Sequence, residues 1–269
     1  MPLKIILKEE WLNMESNNAK TYLFMGIITL VSSLLLSYSY SALKDMSDEN
    51  EKFDKQRNII KSIGINVGNM SKGDISENYA LNIKEIILDE KCNRVDNVFW
   101  NDLIAFEDKK SGITYFINKK DKIEFNTIED KAGNTSINKY LPVFYHSSDK
   151  AYILPISGKG LWSTLFGFLA LSEDKNTVKG ITFYKHKETP GLGGEIDKRW
   201  FQDNFIGKKI FNNKDNLVSI EVLKGVVSAL PINEQSHAVD GITGATMTSQ
   251  GLSNFLFRDL KRYEEFLRD

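Results

Sequence analysis

Between Lys20 and Lys44 the chain carries no charged residue. The run from Tyr22 to Tyr40 is long enough, as a helix, to cross the roughly 30 Å hydrocarbon core of a bilayer. Tyr22, Tyr38 and Tyr40 sit near its ends, where aromatic rings favour the interface. Such a span forces a division: one part of the chain faces lipid, and the remainder must fold by itself on one side. A cleaved signal peptide is the alternative, with Ser39-Tyr40-Ser41 as its small-residue site. The run exceeds the usual signal core of about 7–15 residues, which favours an uncleaved anchor. Charge does not orient it. Lys4, Lys8 and Lys20 precede the span, and Lys44, Lys52, Lys55, Arg57 and Lys61 follow it closely, so the positive-inside rule by itself leaves the large C-terminal part in the cytoplasm.

The chain therefore divides into an N-terminal segment (1–20), a transmembrane helix (21–43), a helical stalk (44–68) and one domain (69–269). In the stalk, Met46, Phe53, Ile59, Ile60 and Ile63 form a sparse apolar stripe ended by Gly64 and Gly68. Ser76 to Leu88 is expected to be a short helix capped by Ser76, with Tyr79, Ile83, Ile86 and Ile87 on one face. No repeat or low-complexity linker interrupts the remainder.

Strand signals then dominate. Ile113–Ile117 and Lys122–Phe125 read as a hairpin, followed by Val143–Tyr145, Ala151–Ile156, Leu165–Leu171 and Val178–Tyr184. Short polar connections favour antiparallel pairing. Gly194–Phe205 is expected to be helical and Leu217–Leu223 a strand. From about Thr246 a last helix places Leu252, Phe255, Leu256, Leu260, Tyr263 and Leu267 at helical spacing, a core-facing stripe. The fold class is α+β: an antiparallel-sheet-rich domain with flanking helices, preceded by one transmembrane helix.

With 35 basic and 36 acidic residues the net charge of -1 gives no electrostatic reason to expect nucleic acid. One cysteine, Cys92, rules out an internal disulfide and a cysteine-ligated iron–sulfur cluster held by this chain alone. Three histidines leave little for a metal site, so redox chemistry here would need an organic cofactor.

Three loops could carry chemistry. Asp240-Gly-Ile-Thr-Gly-Ala-Thr-Met-Thr-Ser249 sets two glycines and an alanine among hydroxyls just before the last helix. Unpaired amides and the helix dipole favour an anion at such a helix start, and Gly241 and Gly244 let backbone approach a ligand. Equally, Thr243 or Thr246 can simply N-cap the helix. Ser157-Gly-Lys-Gly-Leu-Trp-Ser163 and His186-Lys-Glu-Thr-Pro-Gly-Leu-Gly-Gly-Glu195 each follow a strand, and each alone reads as a tight turn. Neither has Walker or Rossmann spacing, and Gly-x-Ser-x-Gly and His-Glu-x-x-His are missing from the sequence.

The run Asp240 to Thr248 resembles the flavinylation motif of the FMN-binding domain family, Asp-Gly-x-Ser/Thr-Gly-Ala-Thr-x-Ser/Thr. In that family the threonine after Gly-Ala is joined to FMN by a phosphodiester bond, which implies Thr246 here, flanked by Thr243, Gly244 and Ala245. A flavin ring needs flat apolar surfaces on its faces and polar groups at its edge. Trp162, beside Leu161, can supply one face and Leu192 the other, and Thr189 can bond a ring carbonyl. Lys224 can balance a negative charge on the flavin, or is merely a solvated lysine.

The N-terminal span, Gln56-Arg-Asn-Ile-Ile60, Pro155 to Trp162 and Glu188 to Glu195 together resemble one branch of that family, the C subunit of the Na⁺-translocating NADH:quinone reductase. The likeness runs from about Thr21 to the C-terminus and is weakest between Gly68 and His146. The resemblance implies an electron-carrier subunit in the bacterial inner membrane, with residues 1–20 cytoplasmic and the FMN domain on the periplasmic face. Electrons would pass through covalent FMN towards quinone, with NADH bound elsewhere. Implied partners are the other subunits, notably the FMN-bearing B subunit, together with membrane lipid and a flavin transferase for maturation. The alternatives are the G subunit of an Rnf-type complex, a membrane-anchored binding domain whose motif is an unmodified cap, and a self-contained extracytoplasmic flavoenzyme.

Overall fold

The computed structural model describes residues 3–108, 112–121 and 138–269, with side chains from residue 18. The expected strand Lys122–Phe125 lies outside the described residues. The chain forms two compact units, Met1–Lys52 and Phe53–Asp269. Helix α1 is Leu3–Ser62. Within the first unit its apolar side chains from Tyr22 to Leu43 are exposed. This helix is long and apolar enough to cross a membrane.

The second unit is built on a seven-stranded antiparallel sheet. Its strands are β1 (Ile83–Leu88), β2 (Leu103–Asp108), β3 (Ile113–Asn118), β4 (Lys139–His146), β5 (Ala151–Lys159), β6 (Thr164–Leu171) and β7 (Val178–Lys185). The order is β2-β3-β4-β5-β6-β7, with β1 also paired to β4 in the register Ile83↔His146 to Leu88↔Leu141. β5 and β6 read as nearly unbroken apolar runs because both faces of the sheet are covered. Leu154, Ile156, Leu165 and Leu169 join one core with Phe255 and Leu256. Ile153, Phe168 and Ala170 join a second core with Ile59 and Ile60 from the end of α1. The stalk's apolar stripe is thus buried against the sheet at its C-terminal end.

The first core is completed by α5 (Thr246–Arg262) and, after a break at Tyr263, α6 (Glu264–Arg268). All six residues of the expected stripe, Leu252 to Leu267, are buried. The helix is also pinned by charge. The buried Asp259 carboxylate accepts the Ser157 amide at 2.8 Å, and Arg258 donates to the Ser157 carbonyl at 2.7 Å.

Several expected elements differ. The helix expected at Ser76–Leu88 is α2, Lys72–Asn82, capped by Ser71, whose hydroxyl accepts the Asp74 amide while Asp74 accepts the Ser71 amide. That reciprocal capping box outcompetes Ser76. Ile83, Ile86 and Ile87 instead enter β1, where pairing with β4 overrides the helical spacing. Gly194–Phe205 is broken into 3-10 turns at Gly193–Asp197 and Asp203–Phe205 around a single α-turn, α3 (Arg199–Gln202). Leu217–Leu223 contributes only β8 (Glu221–Val222), which pairs in parallel with β9 (Ala238–Val239). Ser219 at φ +63° interrupts the extended backbone there. A short helix α4, Ile232–Gln235, lies between them.

Candidate functional site

The two glycine loops and the threonine motif meet at one buried carboxylate. Residues 160–163 form the hairpin turn between β5 and β6, closed by Gly160 N–H to the Ser163 carbonyl at 2.8 Å. The amides of that turn point at Glu188, just beyond the end of β7. Its carboxylate accepts from Trp162 N at 2.9 Å, Ser163 N at 3.2 Å and Leu161 N at 3.3 Å. It also accepts the Thr248 hydroxyl, from the first turn of α5, at 2.7 Å. Glu188 is only 5% exposed. Burial pushes its carboxyl up, but the bonds from Thr248, Trp162, Ser163 and Leu161 outweigh this and hold it below the usual carboxylate range. A charge buried this way is tolerated because it is fully hydrogen-bonded.

Glycine is required where these segments cross. A Cβ on Gly193 would stand 2.5 Å from the Thr248 hydroxyl and 2.8 Å from a Glu188 oxygen. A Cβ on Gly244, which has φ +77°, would stand 2.8 Å from Leu192. The motif and the second loop are therefore in direct contact at Gly244 and Leu192.

Among the described residues no side chain caps α5. Ala245 occupies the N-cap position, so neither Thr243 nor Thr246 takes the capping role that their position allows. Thr246 is the first helical residue and is exposed, as are Thr243 and Gly244, while Ala245 is buried. Its neighbour Met247 is 59% exposed, Trp162 69%, Leu161 47% and Leu192 43%, an apolar rim around the helix start. Thr189 is exposed, and its carbonyl accepts the amides of Leu192 and Gly194. Lys224 is exposed too, beside Gly225, whose carbonyl accepts the Gly241 amide at 3.0 Å. The motif's Asp240 fixes the same turn by accepting the Val227 amide at 2.7 Å.

Residues 160–260 match the family model described as the FMN-binding domain. The C subunit of the Na(+)-translocating NADH-quinone reductase of Pseudomonas aeruginosa is 34% identical over 248 residues, 90% of this chain and 91% of that protein. The chain belongs to the NqrC family, the C subunits of Na(+)-translocating NADH-quinone reductases. The C subunit of Haemophilus ducreyi is 35% identical over 233 residues, 85% of this chain and 84% of the relative. The crystal structure of the C subunit from Parabacteroides distasonis superposes with a TM-score of 0.62 at 30% identity, covering 84% of this chain and 98% of that one. That of Shewanella oneidensis NqrC, at 23% identity and a TM-score of 0.58, shares the fold.

The residues present fit an FMN phosphate at the start of α5. The first-turn amides lack a cap, the dipole favours negative charge, and Gly244 leaves room that any side chain would fill. Glu188 and Thr248 stand inside motifs visible in the sequence, yet the sequence assigns neither a role. Glu188 sits in the charged stretch Lys185 to Glu188, where a solvated carboxylate is the ordinary expectation, and its partners lie 25 to 60 residues away.

Proposed function

We propose that this chain is the flavin-carrying, single-pass subunit of a membrane Na⁺-translocating NADH:quinone oxidoreductase, with FMN joined through a phosphodiester bond to the Thr246 hydroxyl. The observation that carries this is the exposed Thr246, which opens an uncapped α5 beside Gly244 inside the stretch matching the FMN-binding family. Bound there, FMN supplies electron transfer from NADH towards quinone, chemistry that side chains do not offer. The chain's own part is to bind, orient and shield. First-turn amides take the phosphate, and Ala245 and Gly244 keep its approach open. Thr243 adds a hydroxyl beside it. Leu161, Trp162 and Leu192 present apolar surface to the ring, the Thr189 hydroxyl donates to a ring carbonyl, and Lys224 offsets negative charge.

NADH and quinone bind other subunits in this reading, and the FMN-bearing B subunit is the neighbour in electron transfer. A flavin transferase makes the bond. Residues 1–20 lie in the cytoplasm, 21–43 span the inner membrane amid its lipids, 44–68 form the stalk, and 69–269 hold FMN on the periplasmic face. After denaturing gel electrophoresis the protein should keep flavin fluorescence, and Thr246→Ala should abolish it. Fluorescence surviving that change, or missing from the wild type, contradicts the covalent assignment to Thr246. A C-terminal reporter active only in the cytoplasm would overturn the periplasmic placement.

A further inference from the structure

A second site, sharing no residue with the threonine motif, lies where the last turns of α1 meet the start of β7 and α3. A cavity of about 420 Å³ opens there. It falls within the range of roughly 300–1,000 Å³ that small ligands use. Four cations from three elements line it: Arg57 and Lys61 from α1, Lys179 from β7 and Arg199 from α3. Acidic groups answer only two of them. Lys179 bonds Asp149, its Nζ 3.5 Å from Oδ1 and 3.1 Å from the backbone carbonyl, and Arg199 lies 3.8 Å from Asp203, the one carboxylate in the lining. The side chains of Arg57 and Lys61 make neither an ion pair nor a hydrogen bond among the described residues.

Lys61 is the informative member. Burial lowers its pKa first, and of the nearby charges Asp197 and Asp203 favour its ammonium while Arg57 and Arg199 oppose it. A half-buried lysine that faces two arginines without a carboxylate in contact is an arrangement that an anion would complete. Around it, Ile65, Val67, Ile181 and Ile206 give the cavity apolar walls, which suits an anionic group borne on a carbon skeleton.

We propose that this cavity binds a phosphoryl group, as a phosphate mono- or diester, through Arg57, Lys61 and Arg199. The group could be presented by a soluble phosphate or by the headgroup of an anionic phospholipid. The site uses none of the residues assigned to FMN, so flavin content serves as the folding control.

The test uses the full chain in nanodiscs, with hydrogen exchange read over residues 63–68 and 199–206 at constant ionic strength. Protection on adding glycerol 3-phosphate, a phosphate monoester, in phosphatidylcholine discs supports a soluble ligand. Protection in phosphatidylglycerol discs without it supports a lipid headgroup. In either arm, Arg57→Gln with Lys61→Gln should weaken the response about tenfold or more, the scale of a lost hydrogen bond to a charged group, while flavin content stays at the wild-type level. No protection in either arm overturns the proposal, as does protection that survives the double substitution. Should the double variant lose its flavin, Lys61→Arg, which keeps the charge, must restore protection if the site is real; failure to do so counts against it.

Discussion

The knot around Glu188 and the rim around Trp162 are neighbours in space and opposites in physics. In the knot, one buried carboxylate holds a hairpin turn, the loop after β7 and the first turn of α5 through four hydrogen bonds. On the rim, Leu161, Trp162, Leu192 and Met247 are large apolar side chains left in solvent. Trp162 belongs to both: its amide is tied down and its indole is free. Rigid backbone under exposed apolar side chains is how a protein prepares a surface for a ligand it does not itself contain. Changes in the knot should therefore cost stability, and changes on the rim should spare it.

The largest effect is expected from Glu188→Ala, which strands three amides and a hydroxyl. Unsatisfied donors cost about 1–3 kcal/mol each where water cannot reach them. Allowing for partial rehydration, a loss of about 2–4 kcal/mol and a fall in Tm on the order of 10 °C should appear in calorimetry of the detergent-solubilised chain. The pH profile sharpens the assignment. The folded pKa of Glu188 is depressed, so its contribution is complete above the unfolded value of about 4.3 and disappears as pH falls through the lower folded value. Wild type should therefore lose stability on acidification through that window, and Glu188→Gln should be flatter there. Parallel profiles for the two would remove Glu188 from the knot.

Thr248→Ala should be milder, about 1.5–3 kcal/mol for one hydrogen bond to a charged acceptor. It should leave at least part of the covalent flavin, because the bond is assigned to Thr246. Complete loss of flavin in Thr248→Ala would mean that the two hydroxyls do not divide their roles as described.

Those two partners were not readable in the sequence. What could be read was whatever depends on neighbours along the chain: the uncharged run before Lys44, the stripe from Leu252 to Leu267, the strands β5 to β7, and the glycine–threonine motif. What could not be read depends on distant contacts or on competition between near-equal signals. Glu188 looks solvated until β6 and α5 close over it. The sequence points to Ser76 as the cap, and the reciprocal bond with Asp74 gives that place to Ser71 instead. Ile83 to Leu88 has spacing compatible with a helix, and β4 makes it a strand.

The smallest stability effect is expected on the rim. Trp162→Ala should leave Tm nearly unchanged and keep covalent FMN, since the proposed tether is at the phosphate end. Losing an aromatic contact worth about 0.5–1.5 kcal/mol beyond area burial should instead move the flavin potential by a few tens of millivolts. Redox titration of wild type and variant reads this directly; identical titrations would take Trp162 away from the ring.

The central claim is that the knot holds up Thr246, and no other hydroxyl of the motif, as the attachment point. Peptide mapping by mass spectrometry of the chain, produced together with a flavin transferase, tests it most directly. The account predicts one FMN-sized adduct, confined to Thr246 in the peptide spanning Asp240 to Arg258 and missing from Thr246→Ala. An unmodified wild-type peptide, or an adduct on Thr243, Thr248 or Ser249, would contradict it.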